Sequence, residues 1–295
     1  MSTSEARECK GITDLRWDRG TSFACEMRLA LKRWLRGPDW PPRITSSVID
    51  RRDEMQVPDV TMVVVAGIDG CRKGWLCLTK NLATGTVHAQ IFARIDEVLS
   101  LEPRPGIVTV DVPIGLTDSG PRLCDLEARK RLGAPRSSSV FPAPVRSTLV
   151  ATSYPEACHL GHSADGRKLS QQAWRILPRI VEVDTLLRSK PSLQAWIREV
   201  HPEVSFWAWN GNNAMKHPKK SSAGRVEREG LIVPRYGPAY SAAQSNLPRG
   251  WYANDDLLDA FAALWSAERV HAGLAIVFPP NPPTDSCGLK MEMVA

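Results

Sequence analysis

Five carboxylates stand where a metal-dependent chemistry would need them. Asp69 closes the apolar run "MVVVAGID", and Asp111 ends "GIVTVD" some forty residues later. Glu203 follows "REVHPE", and Asp256 and Asp259 share "NDDLLDA". In open α/β sheets ligands gather beyond the carboxyl ends of the strands. Acids from several strand ends and one helix can therefore converge on one spot. Hard oxygen donors of this kind suit Mg2+ or Mn2+. Each acid also has a plain structural reading. Asp69 can be a turn residue between glycines, and Asp111 can accept backbone bonds at a strand end. Glu203 can pair with Arg198.

The helix from Trp251 to Trp265 frames the question most sharply. Asn254 or Asp255 suits its N-cap, and acids in a first turn suit the positive end of the helix dipole. Leu257, Leu258, Phe261, Leu264 and Trp265 form one apolar stripe at helical spacing. The aspartates fall on the other side, which continues with Ala263, Ser266, Ala267 and Val270 rather than with long polar residues. Small residues there predict a second covered face. Asp259 is then an interior carboxylate in need of a partner or a metal.

Basic residues supply candidate contacts to phosphate. Arg72 and Lys73 follow Asp69 directly, as phosphate contacts or as exposed turn residues. Arg136, three serines and Arg146 lie in "APRSSSVFPAPVR", too rich in Pro and Ser for a regular element. "KHPKKSSAGRVER" clusters Lys216, Lys219, Lys220, Arg225 and Arg228, a solvated face or a basic footprint. Gln172 and Trp174 share a helix that either reaches a base or joins the core. His201 can assist proton transfer, orient a carboxylate or serve the strand structurally.

The elements that would position these residues are of α/β type. "MVVVAGID" and "GIVTVDVP" read as buried strands. The gap between them holds strands in "WLCLTK" and "GTVHAQIF" and a helix in "IDEVLSL", so the two buried strands can pair in parallel. Helical character runs from about Arg122 to Leu187, "WIREVHPEV" reads as a further strand, and "KKSSAGRVEREGLI" as a helix. Residues 1–61, rich in Pro, Arg and Asp, read as an extension with at most one short helix, and Met62 as a natural start for the domain 62–295. The 295 residues, 43% hydrophobic and 24% charged, suffice for a sizeable core. No apolar run reaches membrane-spanning length, and "MSTSEARECK" lacks the apolar core of a secretory signal. The seven scattered cysteines form no CxxC pair, which predicts reduced thiols and a cytoplasmic protein. The net charge of +6 is compatible with a nucleic-acid partner.

Taken in order, "GIDGCRKGW" (67–75), "DVPIGL" (111–116), "CDLEARKRLG" (124–133), "SSVFPAPVR" (138–146), "LSQQAWRILPRIVEVD" (169–184), "REVHPEVSFWAWNG" (198–211) and "NDDLLDAFAALWSA" (254–267) resemble the predicted RNase H-like nucleases, an uncharacterised family. The resemblance covers nearly everything after Met62. It implies a ribonuclease-H-like fold: a five-stranded mixed sheet, its first three strands antiparallel, flanked by helices, here with a helical insertion after Asp111. It maps the metal-binding aspartate of the first strand onto Asp69 and a second acid onto Asp111 or Glu203. The terminal helix's D-x-x-D-A pattern maps onto Asp256 and Asp259. The chemistry implied is two-metal phosphodiester hydrolysis, one ion activating water and the other stabilising the leaving oxygen. Asp69, Asp111 and Asp259 are the expected metal ligands, with a nucleic acid as substrate.

Two rival readings stay open. "GIDG" also opens ATP-binding phosphotransferases, which need two copies of the fold and a second Asp-Gly phosphate loop, and no second Asp-Gly motif stands at a strand end. A non-catalytic nucleic-acid or protein-binding module on the same fold is the other. A Ser/His/Asp hydrolase lacks its G-x-S-x-G elbow, and "GIDGCRKG" lacks Walker-loop spacing.

Overall fold

The computed structural model describes residues Val64–Ala295. The expectations for residues 1–61 and for Met62 as a start lie outside the described residues. The described chain is α/β, built on a five-stranded mixed sheet in the order β3-β2-β1-β4-β5. Strand β1 (Val64–Cys71) turns at Arg72 and Lys73 into β2 (Gly74–Asn81), and β3 (Val87–Phe92) continues the meander. Both of these pairings are antiparallel. A short helix α1 (Ile95–Val98) then carries the chain across to β4 (Ile107–Val110), parallel to β1, and β5 (Ile197–Glu199) lies parallel to β4. The uninterrupted apolar run of β1 is explained by cover on both faces. Ala66 and Ile68 pack with α1 and with Ile180, Val183 and Leu187 of α4 (Gln171–Ser189). Val65 packs on the opposite face with α6 (Ser222–Asn246) and α7 (Asn254–His271).

Between β4 and β5 lies the helical insertion: α2 (Leu123–Leu132), α3 (Tyr154–Asp165) and α4, with 3-10 turns at Arg136–Ser139 and Arg146–Val150. Helix α5 (Pro202–Trp209) follows β5 at once. A two-stranded sheet of β6 (Val277–Phe278) and β7 (Met293–Val294) completes the described chain. No helix among the described residues is long and apolar enough to cross a membrane.

Strand β5 is shorter than its sequence suggests. The extended run "WIREVHPEV" stops at Glu199, and Pro202 opens α5, its fixed φ and missing N–H suiting a first helical turn. Glu203 therefore sits in a helix, not at a strand end. The start of α7 also differs. Ala253 is the N-cap residue, and the cap is made by Asp256, whose carboxylate accepts the Ala253 N–H at 2.8 Å.

The small-residue face of α7 is covered, as its composition predicts. A Cβ on Gly67 of β1 would come within 2.0 Å of the Leu264 backbone nitrogen, so strand and helix touch backbone to backbone. Thr109 of β4 donates its hydroxyl to the Ala263 carbonyl at 2.7 Å, and the hydroxyls of Ser266 and Ser205 meet at 2.8 Å. These contacts fix the height and rotation of α7 over the sheet, and hence the place of Asp259.

Candidate metal centre

Strand parity, crossover and helix seating bring three acids together. Thr109 turns towards α7, and Asp111, two residues on, follows it to the same face. Asp69 lies on β1 beside β4, and the Asp111 N–H donates to the Ile68 carbonyl at 3.1 Å. Asp69 is 7% exposed and Asp259 is 2% exposed. The carboxyls of Asp69 and Asp111 lie within hydrogen-bonding reach of one another. Asp69, Asp111, Asp255, Asp256 and Asp259 all line one cavity of about 640 Å3.

The charges explain themselves in electrostatic terms. Burial, and then the neighbouring Asp111 and Asp259 charges, hold the Asp69 carboxyl well above the usual carboxylate range. Burial and then Asp259 push Asp111 up to about 7. Lys219 opposes both shifts. Its ammonium bonds the Asp259 carboxylate while its side chain stays 41% exposed, so the tip is sequestered and the stem is not. Burial also raises Asp256, against the pull of its backbone bond at the cap. Asp69 and Asp259 are buried and Asp111 partly so, and with one ammonium among the three they leave negative charge unmet. A divalent cation with a preference for hard oxygen ligands would meet it, so the residues present fit Mg2+ or Mn2+.

A second acidic group lies on the wall of the same cavity. One donor atom each from Cys124, Asp125 and Glu199, all buried, falls within 4.8 Å of the others, so this cluster could hold a metal ion. Its charge is partly met, one guanidinium serving two carboxylates, and burial pushes Glu199 up to about 7. Arg122 forks onto both Glu199 oxygens at 2.7 Å and onto Asp125. Burial pushes the Cys124 thiol up, which keeps it protonated and a poor ligand. The cluster has the spacing of a metal site, with both of its carboxylates bonded to a buried arginine. In the Asp69, Asp111 and Asp259 group only Asp259 is bonded to a cation among the described residues.

The remaining expected residues separate into two sets. Glu203 is buried in an ion pair with Arg228 at 2.6 Å, not with Arg198, which pairs with Glu292. It lines the cavity with its charge already spent. Arg72 reaches the Gly250 carbonyl at 3.0 Å, and the Lys73 N–H donates to the Trp251 carbonyl. They tie the β1–β2 turn to the segment before α7 and do not line the cavity. Arg146 is held by Asp184 and Asp285, away from the cavity. Arg136 and Lys220 do line it. The basic run around Lys219 is no single footprint, because Arg225 pairs with Glu229 and Arg228 is fully buried. His201 lines the cavity with Nε2 on the Ser139 carbonyl. Burial, then Lys219, lowers it to about 4, so it is neutral at pH 7. Trp174 packs on Tyr154, while Gln172 reaches the cavity.

A family model described as a protein of unknown function (DUF429) matches residues 67–284. The chain belongs to the DUF429 family. No curated protein and no solved structure matches it. The matched span of this DUF429 chain holds all three acids of the centre, every cavity residue but Met293, and the five-stranded sheet apart from the first three residues of β1. Five charged cavity residues of the DUF429 domain escaped the sequence reading: Glu199, Arg122, Asp125, Arg175 and Arg179. Pro202 was the available signal for Glu199, since a proline beginning a helix moves the strand end back to it. Arg122 had a local partner in Asp125, but its other partner, Glu199, lies 77 residues away.

Proposed function

We propose that this protein is a metal-dependent nuclease of ribonuclease-H-like fold, hydrolysing phosphodiester bonds by a two-metal carboxylate mechanism. The observation that carries the proposal is the meeting of Asp69 from β1, Asp111 from the end of β4 and Asp259 from α7 in one cavity. The sheet order, with an antiparallel meander leading into two parallel strands, supports the fold. The described residues contain one five-stranded sheet, whereas a phosphotransferase of the related ATP-binding class needs two copies.

Asp69, Asp111 and Asp259 would hold the ions. Bound there, divalent metal would acidify the attacking water and neutralise charge on the leaving oxygen. The chain's own residues prepare that chemistry. The Asp69 and Asp111 carboxyls, both raised, would be held as carboxylates by a bound cation and would give up their protons on its binding. Lys219 holds Asp259 in place and, with a partly exposed stem, can give way. Neutral His201 fixes the Ser139 carbonyl, and with it the Arg136–Ser139 turn on the cavity wall. Arg136, Arg175 and Lys220, which no described carboxylate pairs with, supply positive charge for a phosphate.

Calorimetric titration of the full chain with Mn2+ and Mg2+, followed by hydrolysis assays on DNA and RNA, tests the proposal. Asp69→Asn and Asp259→Asn should each weaken Mn2+ binding by at least ~100-fold, more than the 10–100-fold typical for residues that only support a ligand. Both should abolish hydrolysis. Normal Mn2+ affinity in both variants would defeat the proposal and leave a binding module on the same fold.

A further inference from the structure

We infer that the cavity admits a flexible, unpaired nucleotide, such as a single strand or a frayed end, and excludes an uninterrupted duplex. This rests on the nuclease reading above and narrows its substrate.

Depth is the first argument. Asp259 is 2% exposed and Asp69 is 7% exposed, so the centre is not a surface across which a rod can lie. Three segments rise around it: Gln172, Arg175 and Ile176 of α4, the turn from Arg136 to Phe141, and Pro218 to Lys220. Duplex DNA is stiff over roughly 150 base pairs. A phosphate fixed on such a rod cannot follow a path down between these walls, whereas a single strand bends at every residue.

Size is the second. At about 640 Å3 the cavity falls within the range of sites that enclose a small molecule, roughly 300–1,000 Å3. It has room for a base as well as a phosphate.

Chemistry is the third. Phe141 is half-buried, lines the cavity and packs against the apolar cluster of Ala157, Leu169 and Ala173, which anchors its ring. An anchored aromatic edge suits the stacking of an unpaired base. Arg136 and Arg175 have no ion-pair partner among the described residues, and the Arg136 Nε is buried without a hydrogen-bond partner. By contrast Arg122, Arg146 and Arg228 are committed to carboxylates.

The test is fluorescence anisotropy on the full chain with Mg2+, comparing a short labelled strand, the same strand in a duplex closed by a hairpin loop at each end, and a dinucleotide competitor, in DNA and RNA. The strand should bind at least about 10-fold tighter than the duplex. Phe141→Ala should lose about 10-fold on the strand, with unchanged Mn2+ binding, and Phe141→Trp should restore it. Competition by the dinucleotide at matching affinity would identify a terminal nucleotide as the occupant, and competition only by the longer strand would identify a threaded one. Duplex binding as tight as the strand, or no effect of Phe141→Ala, overturns the inference while leaving the metal centre untouched. Absence of Mn2+ binding with strand preference retained overturns the nuclease reading instead.

Discussion

Lys219 tempers how the three carboxylates behave before any cation arrives. Its ammonium meets the Asp259 carboxylate and lies close enough to Asp69 and Asp111 to lower both. Burial still wins at those two, and Asp111 stands near 7. The sign of the consequence follows from where protons are held. Below about pH 4 both folded and unfolded chains keep these carboxyls protonated, and no stability is lost. Between about pH 4 and about pH 7 the unfolded chain has released protons that the folded chain still binds, so stability falls as pH rises. The thermal midpoint of the metal-free protein should drop across that window, and Asp111→Asn should flatten the drop. A midpoint that climbs over the same range would contradict the burial of this pair. Replacing Lys219 isolates the other term. Lys219→Met removes a unit charge from beside the site, and even with solvent screening this should tighten Mn2+ binding about 10-fold. Weaker Mn2+ binding in the calorimeter would mean that Lys219 positions Asp259 more than it competes for it.

At the level of elements, the centre depends on how closely α7 can approach β1. Gly67→Ala places a methyl 2.0 Å from the Leu264 backbone nitrogen, and backbone cannot step aside as a side-chain tip can. The substitution should cost about 3 kcal/mol or more, at the upper end of overpacking. It should weaken Mn2+ binding as well, because Asp259 rides on the displaced helix. Gly230→Ala in α6 is the control. Nothing lies within 4 Å of its Cβ, so it should stabilise by roughly 0.5–1 kcal/mol in urea unfolding. These contacts show what was legible in the sequence. The small residues Ala263, Ser266 and Ala267 announced a covered second face on α7, and the apolar runs ending at Asp69 and Asp111 announced adjacent buried strands. Glu203 and Arg228 misled because their pairing is not local, whereas Arg225 pairs locally with Glu229. Arg228 spends its charge on Glu203 and Arg122 on Glu199, partners 25 and 77 residues distant. Periodicity cannot see such distances, and a strand pattern does not mark where Pro202 turns extended chain into helix.

Across the whole molecule, the net charge of +6 is a poor guide to where an anion would bind. Arg122, Arg146, Arg198, Arg225 and Arg228 are each paired with a carboxylate, which removes them from any long-range attraction. The cavity wall keeps Arg136, Arg175 and Lys220 outside such pairs, beside an acidic floor that needs metal before it tolerates a phosphate. This separation makes a quantitative statement possible. If those three cations each meet one phosphate of a single strand, the logarithm of the binding constant should fall with the logarithm of salt at a slope of about −2, near 0.7 per contact. Arg175→Gln should reduce that slope by about 0.7 and weaken all sequences alike. Arg146→Gln should leave the slope unchanged and lower the unfolding midpoint, because its charge is already committed to Asp184 and Asp285. A salt series on the three proteins separates these outcomes. If Arg146→Gln moved the slope and Arg175→Gln did not, the phosphate path would run outside the cavity, and the unpaired cations on its wall would need another ligand.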